Sequence, residues 1–169
     1  MTADPGGELV DVVDDDGRTM ATVPRREMRA RRLPHRSVYV LVFNRRGELF
    51  VHLRVQTKDV YPGHWDVAIG GVLAAGESFD EAAVRETHEE LGIIVRPDPL
   101  FPLHYEDATN VVHGMAYRAH HDGPFILQPE EIVQGEFLPI DTILDRATRH
   151  PFCPDGLLVL SEYRRLFLR

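Results

Sequence analysis

Apolar positions recur along this chain in two periods. Short alternating or continuous runs mark strands, and longer mixed stretches follow the 3.6-residue period of a helix. Glu8 to Val13 and Thr19 to Val23 flank Asp14-Asp15-Asp16-Gly17. Two β-prone runs around a turn ending in Asp-Gly predict an N-terminal hairpin over 8–23. A short basic helix is expected from Pro24 to Arg32, with Pro24 in its first turn. Ser37 to Phe43 is almost continuously apolar, as in a strand covered on both faces. Asn44-Arg45-Arg46-Gly47 reads as a turn into a second strand, Glu48 to Arg54. Tyr61-Pro62-Gly63 suits a tight turn, and Trp65 to Ile69 returns as a strand. Gly70-Gly71 opens an irregular stretch to Gly76. A helix is then expected from Ser78 to Leu91, with Ser78 and Glu81 spaced as a capping box and Gly92 as its stop. Strands recur near 101–105, 111–119 and 132–138, and helices at Asp141–Thr148 and about Pro154–Leu168. Residues 1–7 are small, polar and Gly/Pro-containing, and are expected to be disordered.

No repeat or linker interrupts this order. A mixed sheet with a few helices, over 169 residues, predicts one α/β (α+β) domain occupying 1–169. Hydrophobic residues at 43% and charged residues at 27% fit a globular chain. The formal charge of −8 argues against nucleic-acid binding by broad phosphate neutralisation. A phosphorylated small molecule stays open, because a divalent cation reverses the local field. The lone Cys153 excludes an internal disulfide and reads as a small buried residue. His52, inside a strand, reads as a structural side chain. No run is long enough to span a membrane and no signal segment is apparent, so the expected location is the cytoplasm.

The segment from Gly71 to Ile93 carries the chemistry. Glu86, Glu89 and Glu90 lie at i, i+3 and i+4, so they share one helix face, while Val84, Thr87 and Leu91 are expected to turn to the core. Three carboxylates on one stripe repel unless positive charge sits among them, and hard divalent cations with oxygen ligands are natural occupants. Arg85 is within helical reach of Glu81 and Glu89, and could reach back to Glu77. Gly70, Gly71 and Gly76 would let the backbone bend and approach a ligand or metal. Taken alone, the three glutamates also fit a solvated acidic helix.

The full spacing changes that balance. Gly71, five residues, Glu77, seven residues, Arg85-Glu86, two residues, Glu89-Glu90, one residue, Gly92 and an aliphatic resemble the Nudix box in full. At roughly 5–7% usage per residue type, seven fixed positions match by chance on the order of 10⁻⁹ per register. One position departs: Thr87 stands where an aliphatic is expected. Thr57-Lys58-Asp59, Tyr61 to Asp66 and Gln128 to Phe137 also resemble a bacterial branch related to isopentenyl diphosphate isomerase, over about 8–165.

The resemblance implies an α/β/α sandwich and a hydrolase in which water attacks phosphorus in a nucleoside diphosphate-type compound. It implies Mg²⁺ or Mn²⁺ on Glu86, Glu89 and Glu90 with the carbonyl of Gly71, and an organising role for Glu77 and Arg85. Glu86 is a candidate base. A further carboxylate from a later loop would be Glu131 or Glu130, with Glu136 behind them. Trp65, Tyr61, His64 and Phe43 are candidates to stack on a base or isoprenoid, against plain packing. The implied partner is a small nucleotide or other diphosphate, with no nucleic acid or membrane, and a homodimer as an option. Two rival functions stand beside this. An isomerase would need a Cys where this chain has Gly70 and a His where it has Val72, and its Glu-x-Glu reads here Val111-Val112-His113; only His35 matches. A non-catalytic binding module would commonly have lost box glutamates, and none is lost here.

Overall fold

The computed structural model describes residues 5–169. The N-terminal hairpin pairs β1 (Leu9–Val13) with β2 (Thr19–Pro24), followed by the short helix α1 (Arg25–Ala30). The expected disorder of 1–7 does not hold for Pro5–Gly7, which form a 3-10 turn beside α1; residues 1–4 lie outside the described residues. Pro24 caps α1 rather than entering it.

The central sheet is mixed. β3 (His35–Phe43) runs parallel to β8 (Val111–His120) and pairs antiparallel with β6 (Ile69–Val72) and, at its end, with β4 (Leu49–Arg54). β4 carries β5 (Trp65–Asp66) and β9 (Ile132–Leu138), and β8 carries β7 (Asp98–Glu106). The continuous apolar run of β3 has the reason expected. Val38, Val40 and Val42 pack with Ala82, Ala83 and Leu91 of α2 (Phe79–Leu91). Tyr39, Leu41 and Phe43 pack on the other face with Ile143 of α3 (Ile140–Ala147) and Val159, Leu160 and Tyr163 of α4 (Pro154–Phe167). Alternate residues of one strand thus feed two cores, which makes the layered α/β sandwich.

Two local expectations need correction. The strand foreseen over Trp65–Ile69 is broken at Val67-Ala68, because Asp66 Oδ1 accepts from the amides of Val67 (2.8 Å) and Ala68 (3.2 Å) and turns the chain. Gly70 and Gly71 are strand, not irregular loop. A Cβ on Gly70 would lie 1.9 Å from the Val38 carbonyl oxygen, so only glycine lets β6 lie this close to β3. No helix among the described residues is long and apolar enough to cross a membrane.

The hairpin is docked, not loose. Val10, Met28 and Val72 form a small third core. Arg36 of β3 donates to Gly17 O and Thr19 Oγ1. Ala75 N donates to Leu9 O at 2.9 Å, and Gly76 N donates to Asp11 Oδ2 at 2.9 Å. The hairpin therefore holds the loop that leads from β6 into α2.

Candidate active site

Helix α2 begins and ends as its sequence predicts. The Ser78 side chain accepts from Glu81 N while Glu81 accepts from Ser78 N, and Gly92 closes the helix at φ 68°. Its buried stripe differs from the expected one: Ala82, Ala83, Thr87 and Leu91 enter the core, and Val84 faces outward. Thr87, the departure from the box pattern, is fully enclosed. Its hydroxyl donates to the carbonyls of Ala83 and Val84, both at 3.0 Å, so the polar atom is satisfied within the helix.

The three glutamates separate by environment. Glu86 and Glu90, one turn apart, are buried at 8% and 6% exposure, while Glu89 lies at the surface. Burial pushes the Glu86 carboxyl up to about 7, opposed by Arg85 and reinforced by Glu89 and Glu131. Burial likewise raises Glu90, reinforced by Glu86 and Glu131. Arg85 grips Glu77 with two parallel hydrogen bonds (2.7 and 2.9 Å) and donates to Glu86 (2.9 Å) and Glu89 (3.2 Å). The hydrogen bonds to Glu77 chiefly hold its guanidinium protonated. It makes no bond to Glu81, whose carboxylate is committed to the cap. Glu77 also accepts from Ala74 N (2.9 Å), so the Arg85–Glu77 pair fastens the loop to the helix.

Gly71 is where the strand meets this carboxylate cluster. A Cβ there would lie 2.6 Å from Glu86 Oε1. Glu131 comes from a distant segment, which docks on α2 through Ile126 N to Leu91 O and Gln128 N to Glu90 O. The Glu131 carboxylate is ion-paired with Lys58. Among the described residues, no group of three carboxylate, imidazole or thiolate side chains converges as a ready-made metal cradle. Arg85 and Lys58 are bonded to Glu86, Glu89 and Glu131 instead. The donor set nevertheless suits a hard divalent ion: it consists of oxygen atoms, with two buried carboxylates whose ionised forms need a nearby cation.

Beside Gly71 lies a polar cavity of about 80 Å³, lined among others by Arg25, Arg29, Lys58, Tyr61 and Asp155. Tyr61 reaches it from a backbone at φ 50°, its hydroxyl bonded to Asp107 and Tyr105. Desolvation and the Asp107 bond push that phenol up to about 12. Asp66 and Asp155 also line it, with Tyr39 donating to Asp155 Oδ2 at 3.0 Å. Burial, then Asp155, pushes Asp66 up to about 7. Cys153 is buried in the same wall, as its burial expectation had it.

The other candidates stand elsewhere. The Trp65 ring lies under the Arg146 guanidinium at 5.1 Å and beside Phe152, away from the cavity wall. Phe43 is in the core against Tyr163, so it cannot stack on a ligand. His64 packs on Tyr61. Glu130 is exposed, and Glu136 pairs with Arg146 at 2.8 Å. His52 is enclosed, with burial lowering it to about 3. The basic run from Pro24 to Arg32 reads first as a solvated face and second as a contact for an anionic ligand or partner; the structure puts its Arg25 and Arg29 on the cavity wall.

Comparison with known proteins agrees with this arrangement. The family model of the NUDIX domain matches residues 33–155. An uncharacterised Nudix hydrolase of Pseudomonas aeruginosa is 39% identical over 159 residues, covering 92% of this chain and 93% of its own. A Deinococcus radiodurans crystal structure superposes with a TM-score of 0.80 at 28% identity, over 95% of this chain and 99% of that one. The Nudix domain of Shewanella oneidensis NrtR, complexed with ADP ribose, shares the fold (TM-score 0.64, 16% identity, 85% and 98% covered). With the box, the layered fold and the family match in agreement, this chain belongs to the Nudix hydrolase family, whose members hydrolyse pyrophosphate bonds.

Proposed function

We propose that the chain is a divalent-metal-dependent hydrolase of nucleoside diphosphate-type compounds, with its reaction centre at the exposed edge of Glu86, Glu89, Glu90 and Gly71. The observation that carries this is the burial of Glu86 and Glu90 one turn apart, with Glu86 against Gly71 of the cavity wall and the charge of Glu131 acting on both. Buried carboxylates that raise each other's pKa are costly unless a cation answers them. Glu86, Glu89 and Glu90, with the Gly71 carbonyl, would hold Mg²⁺ or Mn²⁺. When bound, the ion would neutralise phosphate charge and acidify the attacking water.

The protein's own groups do the rest. Arg85 and Glu77 keep the Gly71–Glu77 loop in register with the helix. The water's proton passes to a carboxylate of this cluster, Glu86 or Glu131, as its oxygen attacks phosphorus and the anhydride oxygen leaves with the other phosphoryl group. Tyr61 lines the polar cavity beside Gly71, which would receive part of the substrate. The ADP ribose held by the Shewanella domain is a compound of the expected class.

A phosphate-release screen over a nucleotide panel, with Mg²⁺ and with Mn²⁺, tests this. Wild type should turn over at least one compound only when metal is added, and Glu89→Gln should lose roughly 100-fold or more in kcat/KM. No turnover in either protein would make the fold a binding module. Equal rates in wild type and variant, or in chelator, would remove the glutamates from the chemistry.

A further inference from the structure

The wall of the cavity carries two arginines that the glutamate site does not use. Arg25 and Arg29, four residues apart on α1, both lean on one carboxylate, Asp59, at 3.7 and 3.0 Å. Each is about four-fifths hidden, with side-chain exposures of 19% and 20%, and both line the cavity that Gly71 and Lys58 also line. Arg29 spends a second nitrogen on Asn110 Oδ1 at 2.7 Å. Burial lowers its pKa, and the neighbouring charges of Arg25 and Arg54 act in the same direction. Arg54 itself is directed at the backbone carbonyls of Val60 and Tyr61. Two largely hidden guanidiniums thus share one directly paired carboxylate, with Arg54 and Lys58 on the same wall and the buried Asp66 and Asp155 also lining the cavity. Gly71 lines the same cavity, and a Cβ built on it would fall 2.6 Å from Glu86 Oε1.

We propose that Arg25 and Arg29 clamp a terminal phosphate of the substrate, so that this enzyme prefers compounds ending in a free phosphate over diphosphates capped by organic groups at both ends. The inference rests on the hydrolase reading above. A terminal phosphate offers close to two negative charges and three acceptor oxygens, which two guanidinium forks can satisfy together. A phosphoryl group esterified on both sides carries one charge and fewer free oxygens, too few to fill both forks. Arginine suits the task because its planar fork meets phosphate in a bidentate way and keeps its charge when partly buried. The position also suits it. The cavity that holds the clamp is lined by Gly71, beside which Glu86 stands, so a phosphate held by the arginines would have its neighbouring phosphoryl group directed toward that glycine.

The test has two arms on the full chain. The first titrates inorganic pyrophosphate in chelator, where the glutamates have no metal to offer. Wild type should bind with an affinity that falls as salt rises, and Arg25→Met and Arg29→Met should each weaken binding roughly 10- to 100-fold. The second compares kcat/KM for ADP with that for ADP ribose, which share a nucleoside. The wild-type ratio should favour ADP and fall by a similar factor in either variant, mainly through KM. Melting curves accompany both arms. Arg29→Met also breaks the Asn110 contact, so if it misfolds, Arg25→Met decides, since the Arg29–Asp59 pair survives there. Unchanged pyrophosphate affinity and an unchanged ratio in a folded variant would overturn the clamp. Failure of wild type to hydrolyse either nucleotide would instead overturn the hydrolase reading, with the pyrophosphate arm still judging the arginines.

Discussion

Two charged helices, α2 and α1, handle like charge in different ways. On α2 the box glutamates are graded by depth, with Glu86 and Glu90 buried and Glu89 exposed, and Arg85 ties Glu86 and Glu89 to Glu77 of the loop. On α1 the arginines sit at one depth and share one exposed aspartate. The acidic side is rigidly braced before anything binds, because Arg85 anchors both helix and loop. The basic side is held by a single loop carboxylate and a buried asparagine, and is the softer of the two. The difference indicates a division of labour. Geometry at the reacting atoms must be fixed in advance, whereas a clamp on a distant group tolerates adjustment.

Removing the brace should damage the molecule most. Arg85→Met leaves Glu77, Glu86 and Glu89 without their shared cation. Activity should fall roughly 10- to 100-fold, and the metal concentration for half-maximal rate should rise, both read from kcat/KM across a magnesium titration. A parallel loss with unchanged metal dependence would mean that Arg85 serves only the loop.

Asp11→Ala touches the link between the two regions, since Asp11 accepts from both Gly76 N and the Thr22 hydroxyl. Stability should drop by about 1 kcal/mol, with a rate loss of a few-fold at limiting metal. A melting curve identical to wild type would show that the loop holds itself.

The smallest effect is expected at the cavity floor. Asp66 has its folded pKa raised to about 7 from an ordinary 3.8. The folded state therefore holds the proton more tightly, and this group's stabilisation is complete below the ordinary value and lost as pH rises through about 7. Asp66→Asn keeps an acceptor for the amides of Val67 and Ala68 but cannot titrate. Its melting temperature should fall less steeply than wild type between pH 4 and 7 in chelator. An unchanged slope would place that pH dependence on other buried carboxylates.

These regions also differ in how much of each the chain discloses. The acidic site is contiguous from Gly71 to Gly92, and its helix, cap, stop and Arg85–Glu77 tie follow from local spacing. Most strands were visible because β3 has two covered faces and β4, β8 and β9 have turns beside them. Asp66 broke an expected strand because an Asp side chain capping the next two amides has no periodic signature. The close approach of Gly70 to Val38 was equally hidden, since a glycine pair reads as a bend unless its neighbour is known. The basic wall gathers Arg25, Arg29, Lys58 and Asn110 from separate segments, and only packing of the hairpin and α1 on Val72 brings them together. Trp65 and Phe43 were offered to a ligand because an aromatic ring looks the same in a sequence whether its faces are free or, as here, covered by Arg146 and Tyr163.

The hairpin's grip on Ala75 and Gly76 has a consequence for how the protein can be watched. Their amide protons end on Leu9 O and Asp11 Oδ2, both outside the segment matched as the NUDIX domain. Exchange with deuterated solvent at those two positions is therefore gated by undocking of the N-terminal ribbon, while amides inside α2 wait for the helix itself to open. Two neighbouring probes would report separate openings, and ligands that tighten one without the other would be told apart residue by residue.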